Sequence, residues 1–411
     1  MNAEQIFHTI IGILTAQFIF DQWLDYLNHK TVKSNIPSEL KGVYDEEKYK
    51  KQQEYKKANY SFGVLSECVS FIAIVLVLFL GGFAFVNELS AAVSSNSIIQ
   101  ALIFFVIIGF ASSIMSLPFS IYGTFVIEQR FGFNKTTPKI FALDLLKSML
   151  LSVLIGGPLM ALVIWIYGIA GEYFWLYAWL LISSFTVLMT MFYTSLILPL
   201  FNKQTPLEEG DLRSAIEAFS VKAGFKLDNV FVMDGSKRST KANAFFSGLG
   251  SRKRIVLYDT LINDLNTDEI VAVLAHEIGH YKLKHTLWGT ITGVLQMGFV
   301  LFIFGLVVNS PLLSNALGVE EPNFHIGILV FGMLYSPISF VTGIFMTILS
   351  RKNEYAADAY ANSFGLGEAL ISGLKTISSN ALSNLTPHRL YVFFHYSHPP
   401  LLQRIRAINQ N

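Results

Sequence analysis

Seven stretches of this chain are long and apolar enough to cross a lipid bilayer, and no other sequence feature constrains the fold as strongly. They lie near residues 4–27, 63–87, 98–123, 142–166, 173–200, 286–309 and 326–349. A span takes about 20 apolar residues, wound as a helix because hydrocarbon offers no partner for a free backbone amide. Composition agrees: 52% of the residues are hydrophobic and 14% are charged, against about 25% charged in soluble domains. The first stretch has no basic leader and no small-residue cleavage site, so it reads as a retained span. Glu67, Asp144, Lys147 and Glu172 fall near span ends, where their charged tips can reach the interface. Glu67 and Lys147 could instead line an internal cavity.

The loops between spans carry a consistent asymmetry. Lys30, Lys33, Lys41, Lys48, Lys50, Lys51, Lys56 and Lys57 follow the first span, whereas residues 88–97 have no Lys or Arg. Arg130, Lys135 and Lys139 follow the third, the next loop has none, and Lys203 and Arg213 follow the fifth. Residues 310–325 again have none, and Arg351 and Lys352 follow the seventh. Basic loops stay on the cytoplasmic side, so the N-terminus is predicted outside, with the soluble parts and C-terminus in the cytoplasm. The net charge of +1 gives no electrostatic case for nucleic acid, and the lone Cys68 excludes both an intrachain disulfide and a cysteine-rich zinc site.

Composition turns polar at Asn202, which divides the chain. Residues 1–201 hold spans one to five, and 202–285 read as the first part of an α+β unit. Residues 286–350 hold spans six and seven, and 351–411 read as the second part. The predicted fold is mainly α, a seven-helix polytopic membrane protein with a split cytoplasmic α+β domain. Within the first part, Asp211–Gly224 has helical spacing, and Asn229–Met233, Asn243–Phe246 and Arg254–Tyr258 are short β-rich runs. Thr267, followed by Asp268 and Glu269, is the expected N-cap of a helix that runs directly into the sixth span.

That helix carries Val271-Ala-Val-Leu-Ala-His276-Glu277-Ile-Gly-His280. Histidines four apart sit about 40° apart around a helix, so both can reach one metal ion. The glutamate between them is the acid that zinc peptidases use to take a proton from water. A catalytic zinc takes three protein ligands and keeps an open position. His285 is a poor third ligand, because five residues past His280 an ideal helix turns it about 140° away. Glu354 is better placed. Arg351-Lys-Asn-Glu354-Tyr-Ala-Ala-Asp358 is expected to start a helix as the seventh span ends, with both acids on one face. Glu354 can bind the metal while Asp358 holds a ligand histidine by its second nitrogen. A plainer role for these acids is to solvate a helix end. His398, before two prolines, is a candidate to stabilise the oxyanion, with His388 and His395 competing for that role. Asn243-Ala-Phe-Phe is a candidate edge strand for an extended substrate.

These residues resemble a known family. Leu117–Asn134, Pro199–Lys203, Gly235–Ser239, Arg254–Thr260, His276–His280, Glu354–Asp358 and Phe394–Pro400, with Pro37–Leu40, are similar to the type I CAAX prenyl proteases. The resemblance covers nearly the whole chain. It implies a gluzincin-type zinc metalloprotease domain capping a seven-helix barrel that encloses a water-filled chamber. By position it implies one zinc ion per chain on His276, His280 and Glu354, with Glu277 as general base. His398 and Arg404 would stabilise the transition state or position substrate, Asn243 would lie along the peptide backbone, and Asp358 would orient a ligand. The family often shows His-Ser before the Asn-Ala strand, where this chain has Lys241-Ala242.

The function expected is a membrane-embedded zinc endopeptidase like those that remove the C-terminal tripeptide of prenylated proteins. Its partners would be a peptide or protein substrate, with or without a prenyl group, and the lipid bilayer, with the enzyme a monomer. A quality-control peptidase with no prenyl requirement is the alternative within proteases. A transporter or scaffold with structural zinc is the alternative outside them. The last residues, Ala407–Asn411, show no dilysine or other retrieval signal, so a bacterial inner membrane is expected over the endoplasmic reticulum.

Overall fold

The computed structural model describes residues 1–31, 36, 40–225, 230–247 and 254–410. Pro37, Ser38, Glu39 and Asn229, which belong to motifs named above, lie outside them. The N-terminal half is helical: α1 (Ala3–His29), α2 (Glu46–Phe79), α3 (Gly82–Val93) and α4 (Ser97–Tyr122). A π-helical turn (Gly123–Glu128) leads to α5 (Gln129–Phe131). Then come α6 (Pro138–Leu151), a second π turn, α7 (Gly157–Ala170) and α8 (Phe174–Leu196). A mixed stretch follows: β1 (Gln204–Pro206), α9 (Asp211–Lys222), β2 (Val230–Met233), β3 (Ala244–Ser247), β4 (Arg254–Tyr258) and α10 (Asp259–Asp264). The rest is α11 (Thr267–Lys282), α12 (His285–Val307), α13 (Pro311–Asn315), α14 (Phe324–Asn362), α15 (Gly367–Asn380), α16 (Arg389–His395) and α17 (Leu401–Gln410).

Among the described residues, six helical runs are long and apolar enough to span a bilayer, where seven were expected. The difference lies in Pro138–Leu200, 63 residues of helical segments that follow one another directly and contain both the fourth and the fifth expected segments. It is bent at Gly171, whose φ of 53° turns the chain so that α7 packs on α8. The second segment is also displaced. Its helix starts at Glu46 rather than 63, and stops at Phe79 rather than 87. Asp45 caps it in water, and Gly81 (φ 67°) redirects the chain into α3. The seventh segment runs on unbroken into α14 as far as Asn362, so no new helix begins at Arg351.

The helices touch in a ring. α2 meets α1, α1 meets α14, α14 meets α12, then α8, α7 and α4 follow in turn, and the π turn after α4 returns to α2. Apolar packing is concentrated at one end of this ring, around Ile10, Leu78, Phe104 and Ile326, and around Ile164, Phe174 and Phe304. Only 6–17% of each apolar window is buried within the chain, as helices that face lipid require. Apolar residues such as Leu154, Leu188 and Phe345 are exposed, which suits contact with lipid. Serines and threonines line up as well. Ser113, Ser116 and Ser120 on α4, and Thr186 and Thr190 on α8, each donate to a carbonyl three or four residues back.

At the other end sits the largest core. It draws on Leu40–Tyr44, Ile127–Phe133, residues 207–278 and residues 361–408, so chain from before and after the last spans packs together. Its sheet has the order β1-β2-β4-β3, with β2 and β4 parallel and the outer pairs antiparallel. β3 is therefore an edge. Asp144 is paired rather than solvated: Arg238 donates to both its oxygens at 2.7 and 2.9 Å, and to the Phe201 carbonyl and Asn202. Lys147 donates to the Leu200 carbonyl.

Candidate active site

The site is built on α11, and its start is set by a capping box. The Asn266 side chain accepts from the Glu269 amide while Glu269 accepts from the Asn266 amide, so the cap is one residue before the expected Thr267. Ile270, Leu274 and Ile278 are fully enclosed and fix the helix in the core. α11 does not continue into the next span. It ends at Lys282, and Lys284 takes a left-handed φ of 60° before α12 begins at His285.

α11 crosses α14 at Gly279. A Cβ there would stand 3.2 Å from the Ala357 Cα and from the Tyr360 Cβ, closer than ordinary contact, so any side chain would push the helices apart by a few tenths of an ångström. That approach brings His276, His280 and Glu354 together, with one ligand atom from each within 4.8 Å of the others. His280 Nε2 lies 3.2 Å from Glu354 Oε1 and 3.1 Å from His276 Nε2, and His276 Nε2 lies 3.6 Å from Glu354 Oε2. Glu354 Oε2 is buried with no hydrogen-bond partner. Two imidazole nitrogens and an orphaned carboxylate oxygen facing one point fit a divalent cation, because a positive charge there satisfies all three.

Asp358, 1% exposed, accepts from His276 Nδ1 at 2.9 Å, which turns the Nε2 lone pair toward that point. Arg404 grips Asp358 from the other side, with Nε 2.9 Å from Oδ2 and Nη2 2.6 Å from Oδ1, and is itself 11% exposed. Its Nη1 stands 3.7 Å from Glu354. His398 Nε2 reaches to 3.4 Å from Glu354, with a side chain 66% exposed, so it can face an incoming molecule. Its two competitors are occupied elsewhere: His388 caps α16, and His395 ends that helix near Asp21 and Asp25. His285 does not face away. The left-handed turn at Lys284 brings its Nδ1 to 2.9 Å from His280 Nδ1, a placement that an ideal continuing helix forbids.

Glu277 points at the sheet. The Phe246 amide on β3 hydrogen-bonds its carboxylate, and burial raises its pKa, opposed by His276 and His280. Asn243 stands exposed at the start of β3, its side chain accepting from the Ala244 amide at 2.9 Å. Lys241 fills the place of the family's histidine differently. It donates to Glu128 at 2.9 Å and to Tyr55 at 3.1 Å, and lies 4.4 Å over the Phe133 ring, tying the entry to β3 to α2 and the π turn. Gly279 and the Phe246 amide are site-forming features that sequence reasoning missed. The small residue facing the partner helix inside the histidine motif was the one available signal.

Residues 206–411 match the family described as Peptidase family M48, and residues 25–203 match one described as CAAX prenyl protease N-terminal, five membrane helices. The chain belongs to peptidase family M48. Among its M48 relatives, the CAAX prenyl protease 1 homolog of Arabidopsis thaliana is 38% identical over 98% of this chain and 97% of its own length. CAAX prenyl protease 1 of Saccharomyces cerevisiae is 32% identical over 97% and 94%. The crystal structure of S. mikatae Ste24p aligns with a TM-score of 0.94 at 33% identity, covering 100% of this chain and 99% of that one. This M48 chain is an integral-membrane metallopeptidase, which sets aside the transporter and scaffold alternatives. The relatives named here are eukaryotic and lend no support to the bacterial inner membrane expected above.

Proposed function

We propose that the chain is a zinc endopeptidase of the CAAX prenyl protease type, with His276, His280 and Glu354 as metal ligands and Glu277 as general base. The observation that carries this is the convergence of two imidazoles and an unpartnered carboxylate oxygen beside an acid held by an edge strand. Zinc, when bound, supplies a Lewis acid that lowers the pKa of water towards about 7 and polarises a peptide carbonyl. The chain supplies the rest. Glu277 takes the proton of the attacking water on its carboxylate and hands it to the leaving amine. Burial raises its pKa above the ordinary carboxylate value, opposed by His276 and His280, which helps it hold the proton until the amine leaves. His398 donates to the carbonyl oxygen as charge develops there. Asp358 and Arg404 act through His276, fixing its tautomer and aim. Asn243 and the edge strand β3 take the substrate as an added strand, which exchanges the Phe246 and Ala244 amide contacts for its own.

The membrane part supports a chamber. The closed ring of helices, with hydroxyl side chains spaced along α4 and α8, is read as the wall of that chamber. We count the bent run Pro138–Leu200 as two crossings, giving seven, with the metalloprotease domain assembled from residues 202–285 and 351–411 on the cytoplasmic side. Labelling with a membrane-impermeant maleimide tests the orientation. After Cys68→Ser, in bacterial cells carrying the chain in their inner membrane, Ser94→Cys should react while the cells are intact and Glu208→Cys only after permeabilisation; the reverse pattern overturns it.

The prenyl requirement is tested with one quenched peptide made with and without a farnesyl group on its cysteine. A CAAX-type enzyme should cut the farnesylated form at least about tenfold faster in kcat/KM, about 1.4 kcal/mol of transition-state binding. A preference of twofold or less would favour a quality-control peptidase.

A further inference from the structure

Basic side chains gather where the fifth expected span gives way to the sheet. Leu198–Leu200 forms a short 3-10 turn after α8, and β1 follows at Gln204. Beside this turn an open pocket of about 490 Å³ is lined by Lys147, Lys203, Lys237 and Arg254. The fold fixes two of these cations in place. Lys147 Nζ donates to the Leu200 carbonyl at 2.7 Å and stands 5.7 Å from the Phe201 ring. The Arg254 guanidinium stacks 4.7 Å over the Phe231 ring. Lys203 and Lys237 are exposed. Among the described residues, none of the four forms an ion pair, and no carboxylate lines the pocket.

Carboxylates in neighbouring segments do not cancel this charge. Asp144 is gripped by the Arg238 fork, Asp234 accepts from the Asn202 side chain at 2.9 Å, and Asp259 accepts from the Ser236 amide at 2.8 Å. With Arg238 included, five cations stand against three carboxylates, so a positive excess remains. Apolar surface adjoins it. Leu150, one helical turn along α6 from Lys147, is exposed, as are Leu146, Leu196 and Leu200. Fixed cations beside exposed leucines at the end of a membrane span match both halves of an anionic phospholipid. The phosphate fits among the cations while the acyl chains lie along α6 and α8.

We propose that this pocket binds the phosphate headgroup of an anionic phospholipid from the leaflet on the side of the metalloprotease domain. The headgroup bridges Lys147 of the membrane part to Lys203 and Arg254, which flank strands of the sheet. Native mass spectrometry of the full-length enzyme in detergent tests this, with equal amounts of phosphatidylglycerol and phosphatidylcholine bearing the same chains. The wild type should retain phosphatidylglycerol with a preference of about tenfold, a size that two surface cations can supply. Lys203→Gln combined with Lys237→Gln should bring that preference close to one, and the matching pair of arginine substitutions should keep it. Lys50→Gln with Lys51→Gln, an equal loss of exposed charge on α2, should leave it unchanged. Inorganic phosphate in excess should not displace the lipid. Equal retention of the two lipids by the wild type overturns the site. So does an equal loss in both glutamine pairs, which would mean general charge attraction, or displacement by phosphate, which would mean a free-phosphate pocket.

Discussion

Glu277→Gln should lower kcat for a quenched peptide by about a hundred- to ten-thousandfold while zinc stays bound, the range a positioned general base contributes. The substitution keeps the size of the side chain and leaves an oxygen for the Phe246 amide, so the edge strand keeps its anchor. It removes the one property the mechanism asks of Glu277, a carboxylate that takes up and returns a proton. Because His276, His280 and Glu354 are untouched, metal content measured by atomic absorption should match the wild type. Near wild-type turnover from protein stripped with chelator and reconstituted with zinc would remove Glu277 from the chemistry. The proton would then have to pass through His398 or another group.

Arg404→Met should produce the largest loss of stability. It leaves Asp358, 1% exposed, with His276 as its remaining side-chain partner. Removing one member of a buried ion pair costs about 3–5 kcal/mol, most of it the uncompensated charge left behind. The thermal midpoint in detergent should fall clearly, and zinc affinity should fall about ten- to a hundredfold as His276 loses its fixed aim. Adding Asp358→Asn to Arg404→Met should recover much of the stability, since the stranded charge is gone, but not the metal affinity. Arg404→Lys should rescue poorly, because the contact is a two-pronged fork that an ammonium cannot reproduce. An unchanged midpoint in Arg404→Met would mean that the network is incidental.

Much of this arrangement was legible in the sequence where one local pattern decides. Apolar runs gave the spans, and the i, i+4 spacings of His276 with His280 and of Glu354 with Asp358 each put two groups on one face. What escaped were features set by the rest of the chain. The order β1-β2-β4-β3, which leaves β3 at an edge, is not the order of the strands in sequence. The left-handed Lys284 breaks the helix at a residue that carries no Gly or Asn signal, so extrapolating an ideal helix misplaced His285. α14 runs past Arg351 because Ala357 and Ala361 are fully buried on its inner face, so tertiary packing extends it beyond the apolar stretch. The approach at Gly279 needed its partner, Ala357, to be known.

The proposed ligand set is divided between α11 and α14, with Arg404 on α17. During synthesis the histidine pair leaves the ribosome well before Glu354, and two more stretches must enter the membrane in between. At about 5–20 residues per second, that interval lasts seconds. Throughout it the nascent chain carries half a metal site and no peptidase. A ribosome that stalls, or a message cut short, therefore releases an inert fragment rather than an uncontrolled protease.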